Sequence, residues 1–127
     1  MLKSLNAART ALALLLLVIA GSGCRKNTPP PVPLQVNEFA STFNPAFARA
    51  KAETKDLAAQ IVAAVQTRDY STAFAQLQTL TSAPSLTKDQ QSVLVRALLA
   101  VNELLAAAQS QGDQKAAQTL QIYQKNK

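Results

Sequence analysis

The sequence has no histidine and no tryptophan, a single cysteine and only three glycines in 127 residues. Without histidine, the chain lacks the commonest general base and the commonest metal ligand of proteins. The scarcity of glycine excludes a glycine-rich phosphate-binding loop. The carboxylates are scattered, and the nearest pair, Glu53 and Asp56, stands beside lysines as on a solvated, salt-bridged helix face. The composition therefore predicts a protein that is not an enzyme and that binds no metal, cofactor or small-molecule substrate.

The N-terminus has the order of an export signal. Lys3 and Arg9 precede an apolar run over residues 11–20, which is followed by the small residues Gly21, Ser22 and Gly23. A membrane-spanning helix needs about 20 apolar residues, roughly twice the length of this run. The pattern predicts a signal peptide over residues 1–23.

The single cysteine, Cys24, follows this signal directly. The stretch from Ile19 to Cys24 resembles the lipobox of bacterial lipoprotein precursors. That resemblance implies cleavage between Gly23 and Cys24, a diacylglycerol on the cysteine sulfur and acylation, commonly by palmitate, of the new amino terminus. Gly21 departs from the lipobox, where a branched apolar residue is usual, and Gly21 with Gly23 also suits the ordinary signal peptidase. The alternative is a soluble secreted protein with a free thiol.

Two basic residues, Arg25 and Lys26, follow the cysteine. Next to a lipid anchor they would lie at the headgroups, where each contributes about 1 kcal/mol of attraction to an anionic leaflet. In some bacteria an aspartate after the lipidated cysteine retains a lipoprotein in the inner membrane. Since Arg25 stands there, the resemblance implies a bacterial cell envelope protein on the periplasmic side of the outer membrane.

Charge in the rest of the chain is balanced, although the whole sequence carries +6. From Asn37 onward, basic and acidic residues nearly cancel and are evenly spread. Nucleic-acid binding needs a continuous basic surface that neutralises phosphates. The sequence therefore predicts no nucleic-acid partner.

Between the anchor and the rest of the chain lies a proline-rich segment, with four prolines among residues 29–33. Proline cannot continue a helix or a central strand, so the segment is predicted to be extended polyproline II. We predict a lipidated cysteine and linker over residues 24–36, which acts as a spacer, and a helical domain over residues 37–127. A ligand for a proline-binding domain is the alternative reading of this segment.

Helix-favouring residues dominate from residue 37 onward. Asn44 and Pro45 read as the start of a first helix that runs to about Thr67. Asp69 is expected to cap a second helix over residues 70–80, Thr87 and Gln90 to form a capping box for a third over residues 88–111, and Asp113 to cap a fourth. The fold class is predicted to be all-α, with about four helices in antiparallel hairpins.

An internal similarity links the second and fourth helices. Each begins with a capping aspartate, followed four residues later by an alanine, Ala73 or Ala117, that would let helices approach closely. The plan resembles the second helix of a tetratricopeptide repeat, although the spacing of 44 residues differs from the 34 of that family. The resemblance implies a small bundle or repeat-like stack of helices.

Two apolar residues of the third helix, Val95 and Leu99, lie off its main apolar seam. Either another helix covers them, or they are exposed and contact a partner. The sequence leaves two roles open for the helical domain: an anchored, non-enzymatic protein-protein interaction module, and a structural or oligomeric accessory of the envelope.

Overall fold

Five helices make up most of the chain that the structure describes. This computed structural model describes residues 29–127, so the signal peptide, Gly23 and Cys24 lie outside the described residues. A 3-10 turn, Val36–Glu38, precedes the helices. The helices are α1 (Phe39–Phe47), α2 (Ala52–Gln66), α3 (Tyr70–Thr81), α4 (Lys88–Ser110) and α5 (Gln114–Lys125). The predicted all-α fold is confirmed, with five helices where about four were expected.

Helix α4 is the centre of the packing. It contacts α1, α3 and α5, and α2 packs against α1 and α3. The short connections between consecutive helices make α2 and α3, and α4 and α5, antiparallel hairpins. The inner face of α4 is almost free of solvent exposure, at Leu94, Ala97, Ala100, Val101 and Leu105. The predicted seam of this helix is therefore the core of the protein.

Helix α1 corrects the prediction that the first helix begins at Asn44 and Pro45. The helix starts at Phe39, contains Pro45 in its last turn and ends at Phe47. Its three phenylalanines, Phe39, Phe43 and Phe47, stack at spacings of 5.6 and 5.5 Å and are at most 1% exposed. Burying each ring contributes about 1.5–3 kcal/mol, which together outweighs the cost of about 3 kcal/mol for proline inside a helix. The chain then breaks before α2, so one predicted helix is two.

The predicted helix caps are confirmed. Asp69 accepts a hydrogen bond from the Thr72 amide at 3.2 Å, and Asp113 accepts one from the Ala116 amide at 3.1 Å. Thr87 and Gln90 form both bonds of a capping box, at 3.0 and 3.1 Å. The Gln90 side-chain amide also donates to the Ala46 carbonyl at 3.1 Å, which joins the start of α4 to the end of α1.

The last residues of the predicted proline linker belong to the helical unit. This unit extends over Pro31–Lys127, so packing begins before the predicted boundary at residue 37. We call residues 31–35 the strap. Leu34 is 3% exposed in the core, its amide donates to the Arg96 carbonyl at 3.3 Å, and the Arg96 Nε donates to the Val32 carbonyl at 2.8 Å. The strap therefore covers a face of α4 and does not act as a free spacer.

We predict that Leu34→Ala destabilises the protein by about 2–4 kcal/mol, because it empties a filled position in the core. Equilibrium urea unfolding followed by circular dichroism measures this change. The control is Val32→Ala in the same strap, which is 65% exposed and should change the free energy of unfolding by less than about 0.5 kcal/mol. Equal unfolding midpoints for the two variants would contradict a docked strap.

The turns before α3 and α5 have the same backbone geometry. Arg68 and Gly112 occupy equivalent positions in the left-handed region, at φ of 61° and 90°. The following aspartate amide donates back to the preceding helix in both turns, from Asp69 to Ala64 at 2.9 Å and from Asp113 to Ala108 at 3.0 Å. This is the hydrogen-bond pattern of a Schellman turn, which favours glycine at the left-handed position. The repeated turn explains the similarity seen in the sequence.

The alanines after the two turns are not equivalent, which corrects the predicted role of Ala117. Ala73 is completely buried in α3, as expected. In α5, however, the buried residue is Ala116, at 1% exposed, and Ala117 is half-buried. Helix α5 is therefore rotated by about one residue relative to α3, so the sequence similarity does not extend to equal packing.

We predict opposite effects of glycine exchange in the two turns. Arg68→Gly should stabilise the protein by about 1 kcal/mol, because it removes the strain of a side chain in the left-handed region. Gly112→Ala should destabilise it by about 1 kcal/mol. The cause is backbone strain and not a steric clash, because an added Cβ would meet no atom within 4 Å. Thermal unfolding measures both. Arg68→Ala is the control, since it removes the charge and keeps the strain, and a stabilisation equal to that of Arg68→Gly would refute the backbone explanation.

Candidate functional site

An uncharged groove runs between α3 and α5. Its volume is about 430 Å³, and we call it the α3–α5 groove. One wall is formed by Ser71, Phe74, Ala75 and Gln78 of α3, and the other by Thr119, Ile122 and Tyr123 of α5 with its C-cap, Asn126. Both walls follow the same spacing of i, i+3, i+4 and i+7, which is one face of a helix. The groove is therefore built from two regular helix faces.

A smaller hollow continues the groove onto α4. It has a volume of about 200 Å³ and shares Phe74, Gln78 and Tyr123 with the groove. Its α4 residues are Val95, Leu98, Leu99 and Asn102, again at the spacing i, i+3, i+4 and i+7. The faces of three helices thus meet around one aromatic pair, in which the Phe74 and Tyr123 rings pack edge to face at 5.2 Å.

The sequence-predicted contact residues lie on this surface. Val95 is 46% exposed and Leu99 is 38% exposed, so no other helix of the described unit covers them. Ile122, on the α5 wall, is 60% exposed. Most of the large hydrophobic side chains that the described unit leaves exposed therefore border the groove and the hollow. A contiguous apolar surface of this kind is typical of a protein contact.

Hydrogen bonds hold α3 and α5 together at one end of the groove. Lys115 forms an ion pair with Asp69 at 3.0 Å, and the Thr119 hydroxyl donates to the Ser71 hydroxyl at 2.9 Å. Together with the Phe74 and Tyr123 rings, these contacts show that α3 and α5 run parallel from a common end. The groove is the space that opens beyond these contacts.

One charge lies at the edge of the groove, where the Lys127 ammonium stands over the Tyr123 ring at 5.1 Å from its centre. No lining residue of the groove or the hollow is charged, and α3 has no charged residue along its whole length. The polar side chains are the hydroxyls of Ser71, Thr119 and Tyr123 and the amides of Gln78, Asn102 and Asn126. Depletion of charge is characteristic of the centre of protein interfaces, because an unpaired charge is costly to remove from water.

The walls of the groove hold few chemically reactive side chains. Its walls hold no carboxylate, no cysteine and no base for the hydroxyls of Ser71 and Thr119. Within residues 29–127, no group of three or more acidic, histidine or cysteine side chains could hold a metal ion. A surface of this composition is suited to burial against another uncharged surface.

Helix α4 also has the length and mean hydropathy of a membrane-spanning helix. Its seam residues Leu94, Val101 and Leu105 are, however, at most 1% exposed among the other helices. The central helix of a packed unit has this composition because several of its faces are buried. Other apolar residues of the same helix, among them Val95 and Leu99, are exposed, so burial accounts for only part of its hydropathy.

No family model, no curated protein and no solved structure matches this chain. The resemblances to bacterial lipoprotein precursors and to tetratricopeptide repeats therefore stay predictions from the residues.

Sequence reasoning found Val95 and Leu99 but missed Ile122 and the groove itself. The periodic signal was present in α5, where Thr119, Ile122 and Tyr123 share a face. Leu120 and Tyr123 of this helix are partly buried against the core. The sequence pattern could not show that the α3 wall lies opposite the α5 wall. That arrangement depends on how α5 packs against the other helices.

We predict that acidification lowers the stability of the fold through Asp69, at the end of the groove where α3 and α5 are held together. Hydrogen bonds from the Thr72 hydroxyl at 2.7 Å and from Lys115 at 3.0 Å hold the pKa of Asp69 below its ordinary value. The ionised carboxylate therefore stabilises the fold at neutral pH, and this contribution is lost as the pH falls through the lowered pKa.

Asp69→Asn tests this, because asparagine still caps a helix but does not titrate. At neutral pH the wild-type chain should unfold at a higher temperature than the variant, and the difference should vanish on acidification. Asp69 is 40% exposed, so the effect should be small. A difference that stays constant down to acidic pH would contradict the role of the carboxylate charge.

Proposed function

We propose that this protein is a lipid-anchored, non-enzymatic lipoprotein of the bacterial cell envelope, whose helical unit binds a protein. Cys24 carries the lipid after cleavage behind Gly23. Because Arg25 and not an aspartate follows the cysteine, no retention signal keeps the protein in the inner membrane, and it reaches the outer membrane. The partner contacts the apolar surface formed by Val95, Leu99 and Ile122. The anchor is inferred from the sequence, and the contact surface is described in the structure.

The observation that carries the binding role is the apolar surface around Phe74 and Tyr123. Val95 and Leu99 of α4 and Ile122 of α5 are exposed on it, and they are three of the five large apolar side chains exposed in the described unit, the other two being Val32 and Val36. The surface is bordered by amides and hydroxyls, as interface rims commonly are. The walls place no carboxylate, histidine or cysteine beside the hydroxyls of Ser71 and Thr119, which supports a role in binding.

The anchor is supported by the position of the cysteine. Cys24 has no second cysteine with which to form a disulfide, and it directly follows a signal-like segment. A lipid chain with two adjacent basic residues provides the two signals that stable membrane binding requires.

Expression of the full chain in a bacterial host tests the anchor. We expect mass spectrometry to find a mature N-terminus at an acylated Cys24, and the protein to fractionate with the outer membrane. Cys24→Ser should release it from membranes. In a host with the aspartate sorting rule, Arg25→Asp should keep the lipid and move the protein to the inner membrane. An unmodified cysteine, or membrane binding by Cys24→Ser, would refute the anchor.

The binding role has a separate test. A photo-cross-linking amino acid at Leu99 should give a protein adduct in cells, because this position lies in the proposed contact. The matched control is the same amino acid at Gln91, an exposed polar position on α4 outside the hollow. Absence of an adduct at Leu99, or equal adducts at both positions, would contradict the proposed contact.

A further inference from the structure

We propose that the protein binds a small amphipathic anion, an aliphatic chain with one anionic end, in a cavity beside the turn at Arg68. The anionic end lies against the Arg68 guanidinium, and the aliphatic chain lies along the last turns of α4. The cavity has a volume of about 530 Å³, which is in the range of small-molecule sites. The site is separate from the α3–α5 groove, and it depends neither on the anchor nor on a protein partner. Binding alone is proposed, with no chemical step.

Apolar side chains from three segments line this cavity. Val65, at the end of α2, is completely buried, whereas Val36 of the 3-10 turn is 43% exposed. Leu104 and Ala108, in the last turns of α4, are half-buried. From Leu104 to Gln111 the cavity follows α4 for roughly 10 Å, at a rise of about 1.5 Å per residue. An aliphatic chain in this place covers the exposed side of Val36.

The polar groups of the cavity favour a ligand with negative charge. Among the described residues that line it, only Arg68 is charged. The neutral polar side chains are those of Gln66, Tyr70 and Gln111, which can donate hydrogen bonds. An arginine guanidinium binds a carboxylate or a phosphate through two parallel hydrogen bonds. The cavity therefore combines one anion-binding group with an apolar wall.

The acidic residues near Arg68 have other partners. Asp69 forms an ion pair with Lys115 at 3.0 Å, and Asp113, which borders an adjoining hollow together with Arg68, caps α5. Within residues 29–127, Arg68 itself forms no ion pair. Two other acidic residues are near lining positions in the sequence but do not line the cavity: Glu38 and Glu103. The positive charge of Arg68 is therefore available to a ligand.

The backbone at Arg68 is a second, independent observation. The equivalent turn before α5 has Gly112 in the left-handed position, whereas Arg68 occupies this position with a side chain, at φ of 61°. Glycine would relieve the strain, so the arginine lowers the stability of the fold. Strained residues are concentrated at binding and catalytic sites, where the side chain has a function. A ligand contact at Arg68 explains why an arginine stands where glycine is more stable.

Isothermal titration calorimetry with octanoate tests the site. The full chain carries Cys24→Ser, so that neither detergent nor the proposed lipid competes. We expect one octanoate per chain, bound several-fold more tightly than octan-1-ol, which has the aliphatic chain without the charge. Acetate, which has the charge without the chain, should not bind. Octyl phosphate identifies the preferred anionic end, because the tighter of the two anions shows whether the site selects a phosphate or a carboxylate.

Substitutions of Arg68 separate its role in binding from its effect on the fold. Arg68→Gly and Arg68→Ala should each weaken octanoate binding by about tenfold, the loss of one charge-assisted contact. Arg68→Gly should do so although it is expected to be the more stable protein. Arg49→Ala is the matched control, because Arg49 is an exposed arginine before the opposite end of α2 and does not line the cavity.

Filling the cavity gives a further test. Ala107→Trp should abolish octanoate binding, whereas Ala106→Trp, at the neighbouring exposed position outside the cavity, should leave it unchanged. Circular dichroism checks that both variants remain helical. The site is overturned if octanoate neither gives a heat of binding nor raises the unfolding temperature, or if octan-1-ol binds as tightly. It is also overturned if Arg68→Ala or Ala107→Trp binds octanoate like the parent chain, or if Arg49→Ala loses as much affinity as Arg68→Ala.

Discussion

The burial of helix α4 is the constraint on which the rest of the structure depends. A helix with apolar residues on several faces must be covered from several directions, and α1, α3, α5 and the strap each cover part of it. Leu34 and the three phenylalanines of α1 complete the buried core around it. The stripe at Val95 and Leu99 is what this arrangement leaves uncovered, so the candidate site is a consequence of how the core is completed.

The groove follows from the way two parallel helices are joined. The repeated turn starts α3 and α5 at a common level, and the contacts at Asp69, Lys115 and Tyr123 hold them together there. Farther along, small and polar residues such as Ala75 and Gln78 do not fill the space between the helices. The two turns therefore bring α3 and α5 together at one end of the groove, and the size of the side chains farther along determines its width.

Anchoring and weak binding are complementary in the proposed function. A small apolar surface gives little affinity in dilute solution, because few side chains contribute and ordering costs oppose them. Confinement to a membrane reduces the entropy that association loses, so a modest contact suffices. Because the packed unit begins at Pro31, fewer residues separate it from Cys24 than in the predicted linker over residues 24–36, which would keep the unit closer to the proposed membrane surface.

Local chemistry was readable from the sequence: the helical class, the caps at Asp69, Thr87 and Asp113, and the seam of α4 all depend on residues near one another in the chain. The tertiary structure alone decided that Pro45 lies inside α1, that Leu34 enters the core, that Ala116 and not Ala117 is buried, and that Ile122 borders a groove. Each of these depends on contacts between distant segments, whose packing energy outweighs local preference.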